Sequence, residues 1–344
     1  MKIDRSGEYL KFALEFNEQE KALRSMFAEW LPDDIIDCHV HVGHPQEINE
    51  LIRPVYNRPF CSFLGFDLKK SCGIKDLFYP GKRLAMLRFP WPFQGVNHRG
   101  LNEYLIKECP PTDRIALCGI PTDIDYTVKL LSHPRVVALK MYYYFFVPPA
   151  REIYQFFPKP VLEVAQARAL PIILHLPGGA ASCCIDQVER LVHDFPNLRV
   201  ILAHLGGYME SLGNLELAYK SFAKHQNLYV DTAMVFSGQA ISLALNYFGE
   251  ERILYGSDEP LDLLRVKMYE HPVLGFRLMS EYPYHWIPPE EYAAYKYLAR
   301  DSIHAHWQTL LAIKQAIQGL PETQRESIKK KVFFENSRRL FSFG

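Results

Sequence analysis

IIDCHVHVG (residues 35–43) begins as an apolar run and ends in two histidines one residue apart, with a glycine after them. In an extended chain, side chains two residues apart point to the same side. His39 and His41 therefore share a face, and the same alternation predicts Cys38 and Val40 on the other. A histidine that closes an apolar run is, on its own, more often a packed or hydrogen-bonded residue than a ligand. The pair gains meaning only from partners elsewhere in the chain.

Seven more short β-rich runs follow it: RLAMLRF (83–89), RIALCGI (114–120), VVALKMY (136–142), PIILHLP (171–177), RVILAHL (199–205), LYVDTAM (228–234) and ILYGSDE (253–259). Continuous apolar character is expected of strands covered on both faces. Helix-like segments lie between most of them, clearest at 160–169, 184–195 and 238–248. Such alternation implies a parallel sheet. Eight strands in 344 residues favour a closed barrel over an open doubly wound sheet. The expected fold is thus α/β: a distorted (β/α)8 TIM barrel with an N-terminal helix, a long insertion near the first strands and extra C-terminal helices.

Residues 8–31 show helical spacing ended by Pro32, so 1–32 reads as a helical segment packed on a barrel domain spanning 33–344. Residues 44–100, rich in Pro, Gly and aromatics, read as large irregular loops and a candidate lid. In the tail, 261–344, the segments 306–318 and 326–341 look helical.

In a parallel barrel, chemistry sits at the C-terminal ends of the strands. Those ends carry His39 and His41, Lys140, His175, His204 and Asp258. Imidazole nitrogens with a carboxylate oxygen suit zinc, and manganese or iron as alternatives. His44, His98, His133, His193 and His225 have no such placement and read as ordinary packing or surface residues.

Composition narrows the classes further. Lys plus Arg equals Asp plus Glu at 39 each, which argues against a general nucleic-acid binder. No stretch reaches the length of an uncharged membrane span, and MKIDRSGEYLKFALEF lacks the apolar core of a secretory signal. The seven cysteines are scattered without a disulfide framework, so free thiols and a cytoplasmic location are expected. PGG at 177–179 and LGG at 205–207 lack a phosphate-loop pattern, so no nucleotide cofactor is expected.

Five motifs in order, DCHVHVG, LHLPGG (174–179), ILAHLGG (201–207), LYGSDEP (254–260) and FENSRRLF (334–341), resemble the amidohydrolase superfamily. The resemblance covers about 33–344 and is nearest to the amidohydrolase-related branch that includes aminocarboxymuconate-semialdehyde decarboxylase and related metal-dependent hydrolases. It implies one divalent metal, Zn2+ before Mn2+ or Fe2+, held by His39, His41, His175 and Asp258. Asp258 would also be the general base and His204 a catalytic residue beside the metal. Asn336 and Arg339 match a structural C-terminal signature. Binuclear relatives carboxylate a strand-four lysine, but the motifs match the mononuclear branch better, so an unmodified Lys140 is expected.

The resemblance further implies hydrolysis of a C–N or C–O bond in a cyclic amide, ester or lactone through a metal-activated water. The alternative is nonoxidative decarboxylation of an aromatic or enol-type acid. An acid substrate needs a cation, for which Lys140, Arg53, Arg58, Arg88 and Arg99 are candidates. YYYFF (142–146) is a candidate apolar wall. The expected partner is a small-molecule substrate, with a homodimer as a further expectation. A non-catalytic binding barrel would be betrayed by missing site residues, and His39, His41, His175, His204 and Asp258 are all present.

Overall fold

A computed structural model describes residues 14–48, 62–92, 95–207, 210–272 and 275–344. Helix α1 (Glu18–Trp30) leads into β1 (Asp34–Val42), α2 (Leu68–Phe78), β2 (Arg83–Pro90), α3 (His98–Glu108), β3 (Arg114–Cys118), α4 (Ile124–Leu131) and β4 (Val136–Met141). Then come α5 (Ile153–Phe156), α6 (Lys159–Ala167), β5 (Ile172–Leu174), α7 (Ile185–Asp194), β6 (Val200–Leu202), α8 (Leu212–Phe222), β7 (Leu228–Asp231), α9 (Gly238–Phe248) and β8 (Ile253–Leu254). The helices begin where their capping residues dictate. Asp67, Asn97, Asp123, Ser211 and Ser237 each accept the backbone N–H three residues on, starting α2, α3, α4, α8 and α9.

The eight strands pair in parallel in chain order. The chain after β8 returns to β1: Cys38 N–H donates to Tyr255 O (2.9 Å), Asp258 N–H to His39 O (3.0 Å) and His41 N–H to Glu259 O (2.7 Å). This closes a (β/α)8 TIM barrel. Strand residues such as Leu139, Ile172, Val200 and Val230 pack outward on helix residues such as Leu162, Val188 and Leu215.

Strand β1 carries a bulge that sets the site. Asp37 pairs with Met86 and Val40 with Arg88, so Cys38 and His39 together oppose Leu87. Two residues against one shifts the alternation by one position. Ile36 and Cys38 point inward below the bulge, packing with Leu87, Ala116, Ala138, Ile173, Ile201 and Leu254. Only the barrel interior brings six strands together, so the expectation that Cys38 faces the helices is overturned. Above the bulge His39 and His41 are inward, both against Phe89. Val40 is fully buried outside the interior cluster.

The tail holds the two helical segments expected near 306–318 and 326–341, and before them a small sheet that was not expected. An antiparallel sheet of β9 (Arg265–His271), β10 (Gly275–Ser280) and β11 (Ile303–His304), in order β10-β9-β11, follows β8. Helices α10 (Pro289–Tyr295), α11 (Ala305–Ile317), α12 (Glu322–Lys330) and α13 (Asn336–Phe341) complete the chain, with one π-helical turn at Lys331–Glu335. Leu340, Phe341 and Phe343 plug the barrel from the end where strands begin, beside Arg114 at the start of β3. Asn336 donates to the carbonyls of Glu250 (2.7 Å) and Ile253 (2.8 Å), fixing this segment to β8.

Helix α1 is tied to the second sheet through Glu20. Its carboxylate accepts from Arg265 at 2.9 and 3.1 Å and from the His304 backbone at 3.0 Å. The region 44–100, expected to be irregular and a candidate lid, contains α2 and the start of α3; its residues 49–61 and 93–94 lie outside the described residues. Cys38, Cys72, Cys109, Cys118, Cys183 and Cys184 are free thiols. Among the described residues no helix is long and apolar enough to cross a membrane.

Candidate metal centre

The strand ends bring the expected residues together. His39 and His41 present Nε2 to Asp258 Oδ1 at 3.4 and 3.2 Å. One ligand atom from each of these three residues lies within 4.8 Å of the others, and all three residues are buried. The ring of His204 is 5.0 Å from that of His39, and the ring of His175 is 4.9 Å from that of His204. His175 thus joins the cluster through His204 and is not part of the compact triad. Lys140 is buried at the end of β4, its Nζ 5.2 Å above the Phe89 ring.

Local backbone serves this convergence. Asp258, His204 and Leu205 have φ of 72°, 58° and 57°, a region that non-glycine residues seldom adopt and that concentrates at functional sites. Gly256, in the YGSDEP stretch, leaves the space that His39 fills: a Cβ there would meet His39 Cβ at 2.8 Å.

Hydrogen bonds fix which ring nitrogen carries the lone pair. His39 Nδ1 lies 2.9 Å from Asp231 Oδ2, His204 Nδ1 2.8 Å from Ala233 O, and His175 Nδ1 3.2 Å from Leu176 O. Carbonyl and carboxylate oxygens accept, so each Nδ1 donates and the lone pair falls on Nε2. Burial pushes the His39, His175 and His41 imidazoles down, and keeps them neutral. Burial alone would raise the Asp258 carboxyl, but His39 and His41 beside it outweigh this and hold it below the usual carboxylate range. An ionised carboxylate and neutral imidazoles are the forms in which these groups ligate cations. Lys140 is pushed down to about 8 by burial, against the pull of Asp231 and Asp258.

The remaining candidates lie elsewhere. Arg88 was expected as a substrate-binding cation, but it is on the opposite face of β2 from Leu87 and Phe89. There it is fully buried, with Nε 2.6 Å from Asp113 Oδ2 and an N–H donated to Ser71 Oγ at 2.7 Å. Its donors are thus taken up in the layer between barrel and helices. Arg99 is exposed and pairs with Asp123. Arg53 and Arg58 lie outside the described residues. The aromatic run does border the site: Tyr142 and Tyr143 stand 4.8 and 5.5 Å from the His175 ring. Asp231, absent from the sequence-based candidates, is at the centre of the cluster. Its one signal was an acid closing the apolar run LYVD.

The amidohydrolase family model matches residues 36–343. This chain belongs to the amidohydrolase family. No curated protein matches it in sequence. Among solved structures, 2,6-dihydroxybenzoate decarboxylase complexed with 2,6-dihydroxybenzoate is similar, with TM-score 0.57 and 14% identity, over 90% of this chain and 100% of that one. A probable 2-pyrone-4,6-dicarboxylic acid hydrolase from Acinetobacter baumannii has TM-score 0.55 and 13% identity, over 90% and 99%. An amidohydrolase from Burkholderia multivorans, solved with bound zinc, has TM-score 0.56 and 13% identity, over 90% and 99%. At such identities these likenesses concern the fold.

The residues present fit the divalent metal that the family implies. His39 Nε2 and Asp258 Oδ1 are buried and make no hydrogen bond, although buried polar atoms nearly always have a partner. A cation bound by both would supply that partner, and the donor set of imidazole nitrogens plus one carboxylate oxygen is a common one for zinc.

Proposed function

We propose that this family member is a metal-dependent hydrolase that cleaves a C–N or C–O bond in a small molecule such as a cyclic amide, ester or lactone. The observation that carries this reading is the convergence of His39, His41 and an ionised Asp258 on one point at the barrel mouth. A divalent cation there, zinc before manganese or iron, supplies Lewis-acid polarisation of the oxygen it ligates. His39 and His41 hold it, and His175 completes the set from strand five.

Asp258, ionised and buried, accepts the proton of the attacking water and delivers it to the leaving nitrogen or oxygen. His204, with its Nδ1 committed to Ala233 O, meets the substrate through Nε2, and with a proton on that nitrogen it donates to the carbonyl oxygen as charge develops there. Lys140 supplies positive potential from below and anchors an anionic part of the substrate.

One observation favours a second reading, decarboxylation of an aromatic acid. Trp91 stacks on His41, and the Tyr142 and Tyr143 rings stand beside His175. Lys140 is a buried cation with no carboxylate within 4.0 Å among the described residues. The similar structures include both a decarboxylase and a hydrolase.

Product analysis tests the choice. Metal-loaded protein is offered a panel of lactones, cyclic amides and hydroxybenzoates while ring opening and carbon dioxide are followed together. Ring opening that disappears in Asp258→Asn supports hydrolysis. Carbon dioxide release without ring opening replaces it with the second reading.

A further inference from the structure

We propose that Asp231 is the positioning residue of the metal centre, a single carboxylate that sets both the ligand face of His39 and the backbone turn that carries His204. The inference rests on the metal-centre reading above and adds the group that organises it.

Asp231 ends β7 and is fully buried. Its two oxygens have different tasks. Oδ2 lies 2.9 Å from His39 Nδ1, so this ring donates there and turns its Nε2 lone pair towards Asp258. Oδ1 accepts the backbone N–H of His204 at 2.8 Å and that of Ala233 at 3.1 Å. His204 and Leu205 stand in the left-handed region, φ 58° and 57°, which costs energy unless the surroundings hold it. The bond from Oδ1 to His204 N–H is such a restraint. Ala233, held by the same oxygen, accepts from His204 Nδ1 through its own carbonyl at 2.8 Å.

A chain of four hydrogen bonds therefore links a metal ligand on strand one to the histidine after strand six, and three of the four end on Asp231. The carboxylate itself faces the Nδ1 side of His39, away from the nitrogen that binds the cation. It acts through other residues. An asparagine at 231 has one acceptor oxygen in place of two. It can satisfy His39 or the two backbone amides, and its amide group opposes whichever donor it meets.

The test has two parts. In metal-free wild-type protein, nitrogen-15 NMR of the histidine rings should show His39 protonated on Nδ1. Co2+ affinity, measured by chelator competition, should then fall about 10- to 100-fold in Asp231→Asn, with the His39 signals moving towards the other tautomer and the His204 signals shifting with them. A purely structural role would lower the melting temperature of the metal-free protein and leave the tautomer and the Co2+ affinity alone. Wild-type His39 protonated on Nε2, or unchanged Co2+ affinity in Asp231→Asn, overturns the proposal. The tautomer measurement decides even where the variant does not fold. A wild type that binds no Co2+ overturns the metal-centre reading itself, a failure that the NMR result distinguishes from a wrong role for Asp231.

Discussion

The imidazole of His41 lies flat against the indole of Trp91, with ring centroids 4.3 Å apart and planes 9° apart. The other three histidines of the cluster are oriented by an Nδ1 hydrogen bond to an oxygen. His41 Nδ1 is buried without one. The stack takes the place of that hydrogen bond in fixing the ring. Trp91 can do so because it follows β2, and β2 runs beside β1 with Phe89 opposite His41. An aromatic pair contributes about 0.5–1.5 kcal/mol beyond its buried area. Trp91→Leu should therefore weaken Co2+ binding about 2- to 12-fold, read by titration of the purified variant. Equal affinities would show that the stack does not orient the ligand.

Arg88 and Asp113 form an ion pair with both side chains fully buried. Breaking such a pair from one side costs about 3–5 kcal/mol, because the remaining charge is stranded. Arg88→Met should lose that much in urea unfolding while retaining bound metal. A variant of normal stability with impaired substrate binding would return Arg88 to the site.

Lys140 makes stability depend on alkaline pH. Its folded pKa is about 8, against 10.5 for the ordinary lysine. Below pH 8 the folded and unfolded chains both carry the proton, and the full burial cost is present. Between pH 8 and 10.5 the unfolded lysine still holds its proton and the folded one does not, so rising pH favours the folded state. The gain across this window is at most about 3 kcal/mol. Lys140→Met should be more stable than wild type at pH 7, and the difference should shrink towards pH 10.5. Parallel stability curves for the two proteins would contradict this.

The plug at the base of the barrel is predicted to be structural only. Phe341 is buried among Ile36, Ala116 and Ile201. Phe341→Ala should destabilise by about 3–5 kcal/mol with unchanged metal affinity. Loss of metal at full stability would mean that the base communicates with the mouth.

Much of this architecture was legible because buried parallel strands are continuous apolar runs, and each of the eight runs coincides with a strand to within one residue or contains it. His39, His175, His204 and Asp258 were legible for a related reason: a polar residue ending such a run stands at the barrel mouth. What stayed hidden depends on relations between strands. The bulge at Cys38 and His39 is a mismatch of register against β2, which no single strand displays. Arg88 resembles a mouth residue until Asp113, its partner at the start of the neighbouring strand β3, is in view. Asp231 ends its run as Asp258 does, but its role depends on His39, 192 positions earlier. The β9–β11 sheet was read as tail because Lys267 and Glu270 interrupt its short central strand, which does not repeat the barrel's apolar pattern.

The central claim is that His39, His41 and Asp258 hold a catalytic cation. The most direct test is metal analysis of purified wild-type, His39→Ala and His41→Ala proteins after loading with Zn2+ and gel filtration. We predict one ion per wild-type chain and loss of that ion in both variants, with the folded state retained in circular dichroism. A wild type that keeps no ion, or variants that keep it undiminished, would contradict the account.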